Sequence, residues 1–385
     1  MRPLLSRAGT VVSKADRANL LLTRRLGFLH REQLFTTRGL VMPNYGPIEY
    51  DINLDAPGKR VSTLRLVHSD NTNAYSIIPI PIAVIVNGNG PTVLLAAGNH
   101  GNEYEGLSNS SRVGARAIDG RRTRAADRFA VPKHAGRTRR YVGFSFGQRQ
   151  FESCVSRYAN RWSNRSDSRL SGRTLLPLCD AGIDIHTGGN MGTFVPLVFL
   201  CECKDRDVFK RSAELAAAFA APWTYLVTGV ADQGGFDPCA QNQGVAFIST
   251  ELGGGWRLGG ETLDIGRRGV RNMLAHLGVI QSTETQAVRP GQLRYVSDSG
   301  PNGTLVSSAA GFLETHFEPS SSIKAGDTVA TIHPIENGFE PPTLLSAPRE
   351  GVIVSQRTTA HIRHGDIVMN VATEIERSQI TAGGG

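Results

Sequence analysis

Residues 91–106 read PTVLLAAGNHGNEYEG, an apolar, strand-like run followed by a glycine-flanked turn that sets His100 three positions before Glu103. A buried strand ending in His-Gly-Asn-Glu suggests a metal site, because an imidazole and a carboxylate held on one short turn are natural zinc ligands. Taken alone, His100 reads as an ordinary turn histidine, so the case depends on what ends the other strands. GIDIHTGG at 182–189 closes a second apolar run with His186, two residues after Asp184, and FISTELGGG at 247–255 closes a third with Glu251. In a mainly parallel sheet the carboxyl ends of neighbouring strands line one crevice, so motifs far apart in sequence can converge. Two imidazoles and one carboxylate then leave a tetrahedral zinc with one open position. Asp184 is placed to orient a ligand from behind. Glu251 is a candidate general base, with capping of the following helix as its structural alternative. Gly98, Gly101, Gly188 and Gly189 favour the site reading, since they let backbone approach a ligand closely.

Strand-like stretches fall at 61–68, 77–86, 92–97, 182–185, 195–201 and 245–250, and helical patterns at 207–221 and 262–278. Their alternation predicts an α/β domain. After about residue 290 the pattern turns to short strands separated by Gly, Pro and Asp, which predicts a separate small β-barrel or sandwich. Residues 1–41 are rich in Arg and poor in acids, as in a wrongly chosen start or a transit-like leader. The expected division is therefore 1–41 as leader, 42–288 as the α/β domain and 289–385 as the C-terminal β domain.

The chain has 385 residues, 40% of them hydrophobic, enough to bury a sizeable core. No apolar run reaches the roughly 18 residues that a membrane span needs. Five irregularly spaced cysteines form no disulfide framework, which fits a reducing cytoplasm, and Cys201 and Cys203 have no second pair with which to hold a metal. The net charge of +8 is misleading. Residues 108–174 hold fifteen arginines and one lysine against four acids, so the rest of the chain is mildly acidic. That segment shows neither helical period nor strand alternation. One reading is a basic RNA-binding insert with Tyr141, Phe144, Phe146, Tyr158 and Trp162 as stacking aromatics. The favoured one is a shifted reading frame, which makes a GC-rich gene encode many arginines, so no nucleic-acid partner is expected.

GNHGNEYEG, DIHTGG and STELGGG, in this order, resemble the zinc-binding and catalytic motifs of the succinylglutamate desuccinylase and aspartoacylase family, relatives of the zinc carboxypeptidases. The similarity covers roughly residues 42–107 and 174–375. It implies a carboxypeptidase-like mixed α/β sheet flanked by helices, with zinc on His100, Glu103 and His186 and a catalytic glutamate at Glu251. It also implies a zinc-dependent amidohydrolase acting on a small N-acylated amino acid, with no membrane partner and with a homo-oligomer left open. A C-terminal domain like a lipoyl or biotinyl carrier barrel is implied as well. SAPREGVIVSQ (346–356) and FEPSSSIKAGDTVATI (317–332) resemble that barrel's repeats. No lysine stands between Pro348 and Val354, so the barrel is expected to be a scaffold or pocket wall rather than a swinging carrier arm.

The family also carries an Asn-Arg pair followed by Phe-Pro-Gly, which binds the substrate carboxylate. Here GQRQFESCVSRY stands at 147–158 instead. Read one base later, those codons can spell Gly-Asn-Gly-Asn-Leu-Asn-Arg-Ala-Phe-Pro-Gly. An inactive, zinc-binding homologue is the alternative function. As written, residues 108–173 offer no continuous apolar face, so they are expected to stay irregular and exposed, leaving a gap in the sheet beside the metal site. The gene sequence across codons 100–180 should show compensating frame shifts near codons 107 and 174; an uninterrupted frame with no such pair would rule the shift out.

Overall fold

Apolar runs that end in polar turns build the centre of the sheet. The computed structural model describes residues 48–70, 73–87, 90–106, 108, 139–144, 175–229, 235–280, 293–298, 303–336 and 338–382. The leader expected at 1–41 and most of segment 108–173 lie outside them. The strands of the first part are β1 (Ile48–Glu49), β2 (Gly58–Asp70), β3 (Asn73–Asn87), β4 (Thr92–Ala97), β5 (Arg139–Phe144), β6 (Ala181–His186), β7 (Gly192–Phe194), β8 (Leu197–Cys201), β9 (Trp223–Val227), β10 (Ala246–Glu251) and β11 (Arg294–Ser297). They run β1-β2-β3-β5-β4-β6-β10-β8-β9-β11 across one sheet, with β7 off this path. The four central strands β5, β4, β6 and β10 are mutually parallel. The long β2–β3 hairpin lies antiparallel on one side and β8 antiparallel on the other.

Strand alternation sorts the side chains onto two faces. Leu94 and Ala96 join Phe247, Ile82, Val84 and Ala240 in one core, whereas Val93, Leu95, Ala97, Ile183 and Ile185 join Leu215, Phe219, Val270 and Met273 in the other. The second core is covered by α1 (Arg206–Phe219) and α3 (Gly260–His276); the short α2 (Phe236–Gln241) lies on the first. Asp205 caps α1 by accepting from the backbone of Asp207 and Val208. The helix stops earlier than its apolar pattern predicts because Ala220 turns left-handed at φ 56° and Pro222 follows.

One expectation fails. Among the described residues the sheet has no gap between β3 and β4: Arg139–Phe144 form β5, pairing antiparallel with Ile82–Asn87 of β3 and parallel with Thr92–Leu95 of β4. The backbone donors and acceptors between β3 and β4 need partners whatever side chains the filling strand carries. The Tyr-Val-Gly-Phe stretch has strand propensity enough to supply them.

The remaining strands are β12 (Thr304–Val306), β13 (Gly311–Thr315), β14 (Ser322–Ile323), β15 (Thr328–His333), β16 (Thr343–Ser346), β17 (Gly351–Arg357), β18 (His361–Ile362) and β19 (Ile367–Glu374), followed by α4 (Arg377–Ala382). The four strands β16-β15-β13-β18 make a second sheet, and between it and β12, β14, β17 and β19 lies a core of Ile323, Val329, Ile332, Ile353, Ile362 and Met369. This small β region continues the main sheet, through β11 with β19 and through β7 with β17. Leu197, Trp223, Val296, Val352, Val354 and Ala372 fill the junction. Arg294 lies 4.0 Å over the Trp223 ring and pairs with Glu374 at 2.7 Å.

Gly182 gives the packing a direct test, because a Cβ there would fall 2.5 Å from Cε2 of the buried Phe247 ring. Gly182→Ala should destabilise the protein by about 1–3 kcal/mol, as overpacking does, and lower its thermal midpoint in a circular-dichroism melt. An unchanged midpoint would mean that the ring moves freely.

Candidate metal centre

β4, β6 and β10 end together, with Ala97 opposite Ile185 and His186 opposite Glu251. After β4 the chain turns at Gly98, whose φ of 71° suits glycine, and the Glu103 N–H donates to the His100 carbonyl at 3.2 Å. That turn aims His100 and Glu103 back at the end of β6. One ligand atom each from His100, Glu103 and His186 lies within 4.8 Å of the others. The two imidazole rings stand 5.2 Å apart and tilted by 52°.

Hydrogen bonding decides which nitrogen of His186 is available. Its Nε2 lies 2.7 Å from Asp184 Oδ2, which also accepts from Asn99 Nδ2 at 3.2 Å. Its Nδ1 faces Glu103 Oε2 at 3.0 Å, yet that buried oxygen has no hydrogen-bond partner, so the approach is short without being directed along an N–H. Donors about 2.0–2.2 Å from one zinc-sized ion sit roughly 3.3 Å apart. The 3.0 Å contact is thus close to the spacing of two ligands on a shared cation, and the donor set fits one.

Negative charge is concentrated behind these three side chains. Asp184 is wholly buried and its Oδ1 has no partner; Oδ1 of Asp237 and Oε2 of Glu251 are likewise unpartnered. Burial pushes the Glu251 carboxyl up to about 8, against the pull of His186 and with the push of Glu103, Asp184 and Glu105. Burial also lifts Asp237 to about 6, although Ser249 Oγ donates to its Oδ2. Burial would lower His186, but the Asp184 and Glu103 carboxylates outweigh it and hold the imidazole well above its usual range. Glu105 is raised chiefly by burial, and Gly259, Thr187 and Thr262 hydrogen-bond its carboxylate. Carboxylates this close and this dry call for a cation or for protons.

The structure brings together His100, Glu103 and His186, sets Asp184 behind His186, and places Glu251 on the adjacent strand end. Glu251 does not cap the following helix, whose N-cap is Gly259. Glu105 and Asp237 escaped the sequence reading. Glu105 was indistinguishable by pattern from Glu103, and Asp237 sits in a short helix with no motif. Cys201 and Cys203 are free thiols, raised mainly by burial, as structural cysteines are. Arg257, in the run that follows Glu251, is exposed and makes no ion pair with a described residue. Segment 147–158, with Phe146 and Trp162, lies outside the described residues, and Tyr141 and Phe144 fall in β5. No helix among the described residues is long and apolar enough to cross a membrane.

Residues 89–277 match the sequence profile of the succinylglutamate desuccinylase/aspartoacylase catalytic domain. The N-alpha-acetyl-L-2,4-diaminobutyric acid deacetylase of Halomonas elongata is 29% identical over 343 residues, covering 86% of this chain and 96% of that protein. The product-bound ectoine utilization protein EutE (DoeB) of Ruegeria pomeroyi is 28% identical, with a TM-score of 0.72 over 85% of this chain and 99% of its own. A succinylglutamate desuccinylase from Silicibacter sp. TM1040 is 26% identical, with a TM-score of 0.71 over 86% and 99%.

The raised carboxyls fix a sign for pH dependence. Asp237 and Glu251 hold protons more tightly in the folded chain than in the unfolded one. The stability they give is full below their unfolded values near 4 and is lost as pH rises through about 6 and about 8. Chelator-treated protein should melt at progressively lower temperature over that range, and Asp237→Asn should remove the part of the decline near pH 6. A melting temperature that climbs steadily through the same range would contradict these assignments.

Proposed function

We propose, for a chain whose residues 89–277 match the succinylglutamate desuccinylase/aspartoacylase catalytic domain, a zinc-dependent amidohydrolase that removes an acetyl group from the alpha-amino nitrogen of a small amino acid. The substrate favoured is N-alpha-acetyl-L-2,4-diaminobutyrate, cleaved with one water to acetate and 2,4-diaminobutyrate in the breakdown of ectoine. The likeness to the Halomonas deacetylase and to EutE supports that choice. The observation that carries the chemistry is the convergence of His100, Glu103 and His186 within 4.8 Å at the strand ends, with Glu251 in register beside His186.

His100, Glu103 and His186 would hold the zinc, His186 through Nδ1. Bound there, zinc supplies positive charge against the acyl oxygen and makes a nearby water more acidic. Asp184 fixes the His186 ring by accepting from Nε2, which keeps Nδ1 free of its proton and aimed at Glu103. Glu251 takes a proton from the attacking water and delivers it to the departing amine. Burial suits it to that exchange by raising its affinity for a proton towards the neutral range, and a neighbouring cation would draw that affinity back down. The proposed arrangement keeps residues 42–288 as the catalytic domain and 289–385 as a lipoyl-like β domain without a carrier lysine. It is a cytoplasmic enzyme, and assembly into a homo-oligomer is compatible with it.

The inactive-homologue alternative rests on the missing Asn-Arg motif, since a bidentate arginine is the usual grip on a substrate carboxylate. Acetate release from acetyl-diaminobutyrate by this chain, loaded with zinc, separates the two. In a frame-restored chain Glu251→Gln should keep its zinc while turnover drops at least about a hundredfold. His186→Ala should lose the metal by elemental analysis. Wild-type turnover in the first variant, or full zinc in the second, would remove that residue from its role.

A further inference from the structure

Asn102 stands immediately before Glu103, and its Nδ2 donates to Oδ1 of Asn190, four residues beyond His186. Both side chains are partly buried. Gly189, at φ 56°, makes room for this contact, since a Cβ there would lie 2.6 Å from Asn102 Nδ2. The backbone around Asn190 is held on two further sides. Thr358, just after β17, donates its Oγ1 to the Asn190 carbonyl at 2.9 Å and its N–H to the Met191 carbonyl at 3.1 Å. The Gly189 carbonyl accepts from Gly255 at 2.7 Å and from Trp256 at 3.2 Å, in the run that follows Glu251. Loop 187–192 therefore touches the first ligand turn, the segment after the proposed base, and the C-terminal strands.

We infer that Asn190 is a positioning residue: its hydrogen bond to Asn102 sets the separation of the Glu103 and His186 ligand atoms, and Thr358 braces it from the C-terminal region. The inference rests on the reading of His100, Glu103 and His186 as a zinc site and assigns to that site a support from outside its own strands. The geometry makes such a support necessary. Glu103 rides on a turn and His186 on a strand end, no described hydrogen bond joins the two ligand side chains, and a metal site tolerates only about half an ångström of error. An amide-to-amide bond between the two loops removes the freedom that would otherwise open the 3.0 Å approach. A bond that merely tidies a loop would stabilise the fold without tuning the metal.

The zinc dissociation constant of the full chain, measured by competition with a coloured chelator, distinguishes these roles. Asn190→Leu should weaken zinc binding about tenfold or more, the usual effect of losing an outer partner of a metal ligand. Asn190→Asp, which keeps an oxygen for Asn102 Nδ2, should bind as tightly as the wild type or tighter. Asn102→Leu should weaken binding like Asn190→Leu, and the double variant should be no weaker than either single one, because both remove the same bond. The chelator-treated variants should melt with the wild type. If the leucine variants fail to fold, Thr358→Val, which removes only an exposed hydroxyl, should still weaken zinc measurably. Unchanged affinity in the variants of a zinc-binding wild type, or fully additive losses, would overturn the inference. A wild-type chain that takes up no zinc would overturn the metal reading beneath it.

Discussion

Buried negative charge is the constraint around which the rest of the site is arranged. Glu103, Asp184, Asp237 and Glu251 each keep an unpartnered buried oxygen, and Glu105 lies buried close by. In a dry interior such groups cannot all ionise unless positive charge stands among them. His186 stands among them, and the Asp184 and Glu103 carboxylates that flank it strengthen its hold on a proton. A metal ion arriving there would do more than fill a hole. It would take over the role of several protons at once, so its binding must release protons and grow stronger as pH rises.

Parallel strands make the concentration of charge feasible. Asp184 pairs with Ser249 and His186 with Glu251 across β6 and β10, and alternation puts all four on the same face as Phe247. The same strands bury their opposite face under α1 and α3. Apolar packing thus holds the acidic side chains in register without any direct attraction between them.

Much of this was legible in the sequence. β4, β6 and β10 announce themselves as apolar runs that stop at a glycine-flanked polar turn, and their shared place at strand ends, with likeness to a known family, joined the three turns into one site. Helix ends were harder, because Ala220 takes a left-handed conformation that its side chain does not advertise. β9 was missed since Trp223–Val227 follows α1 after a single turn and is too short to show a period. β5 was missed for a different reason. Its place in the sheet is set by the backbone hydrogen bonds that β3 and β4 require, and an arginine-rich segment carries no apolar pattern to signal that. Asp237 and Asn190 gain their meaning only from neighbours far along the chain.

The ladder that runs from β1 to β14 is drawn from both ends of the described chain, and this affects how the protein must be made. Until β11 has been synthesised, the far side of β9 is an open row of backbone donors and acceptors, and until β19 follows, the far side of β11 is another. Such an edge invites pairing with another copy of the same nascent chain. Closing it requires contacts between residues widely separated in sequence, which slows folding and lengthens the exposure. The C-terminal strands are therefore a guard for the catalytic sheet as well as a wall beside it, and a ribosome that stalls before them would release a chain primed to grow edge to edge.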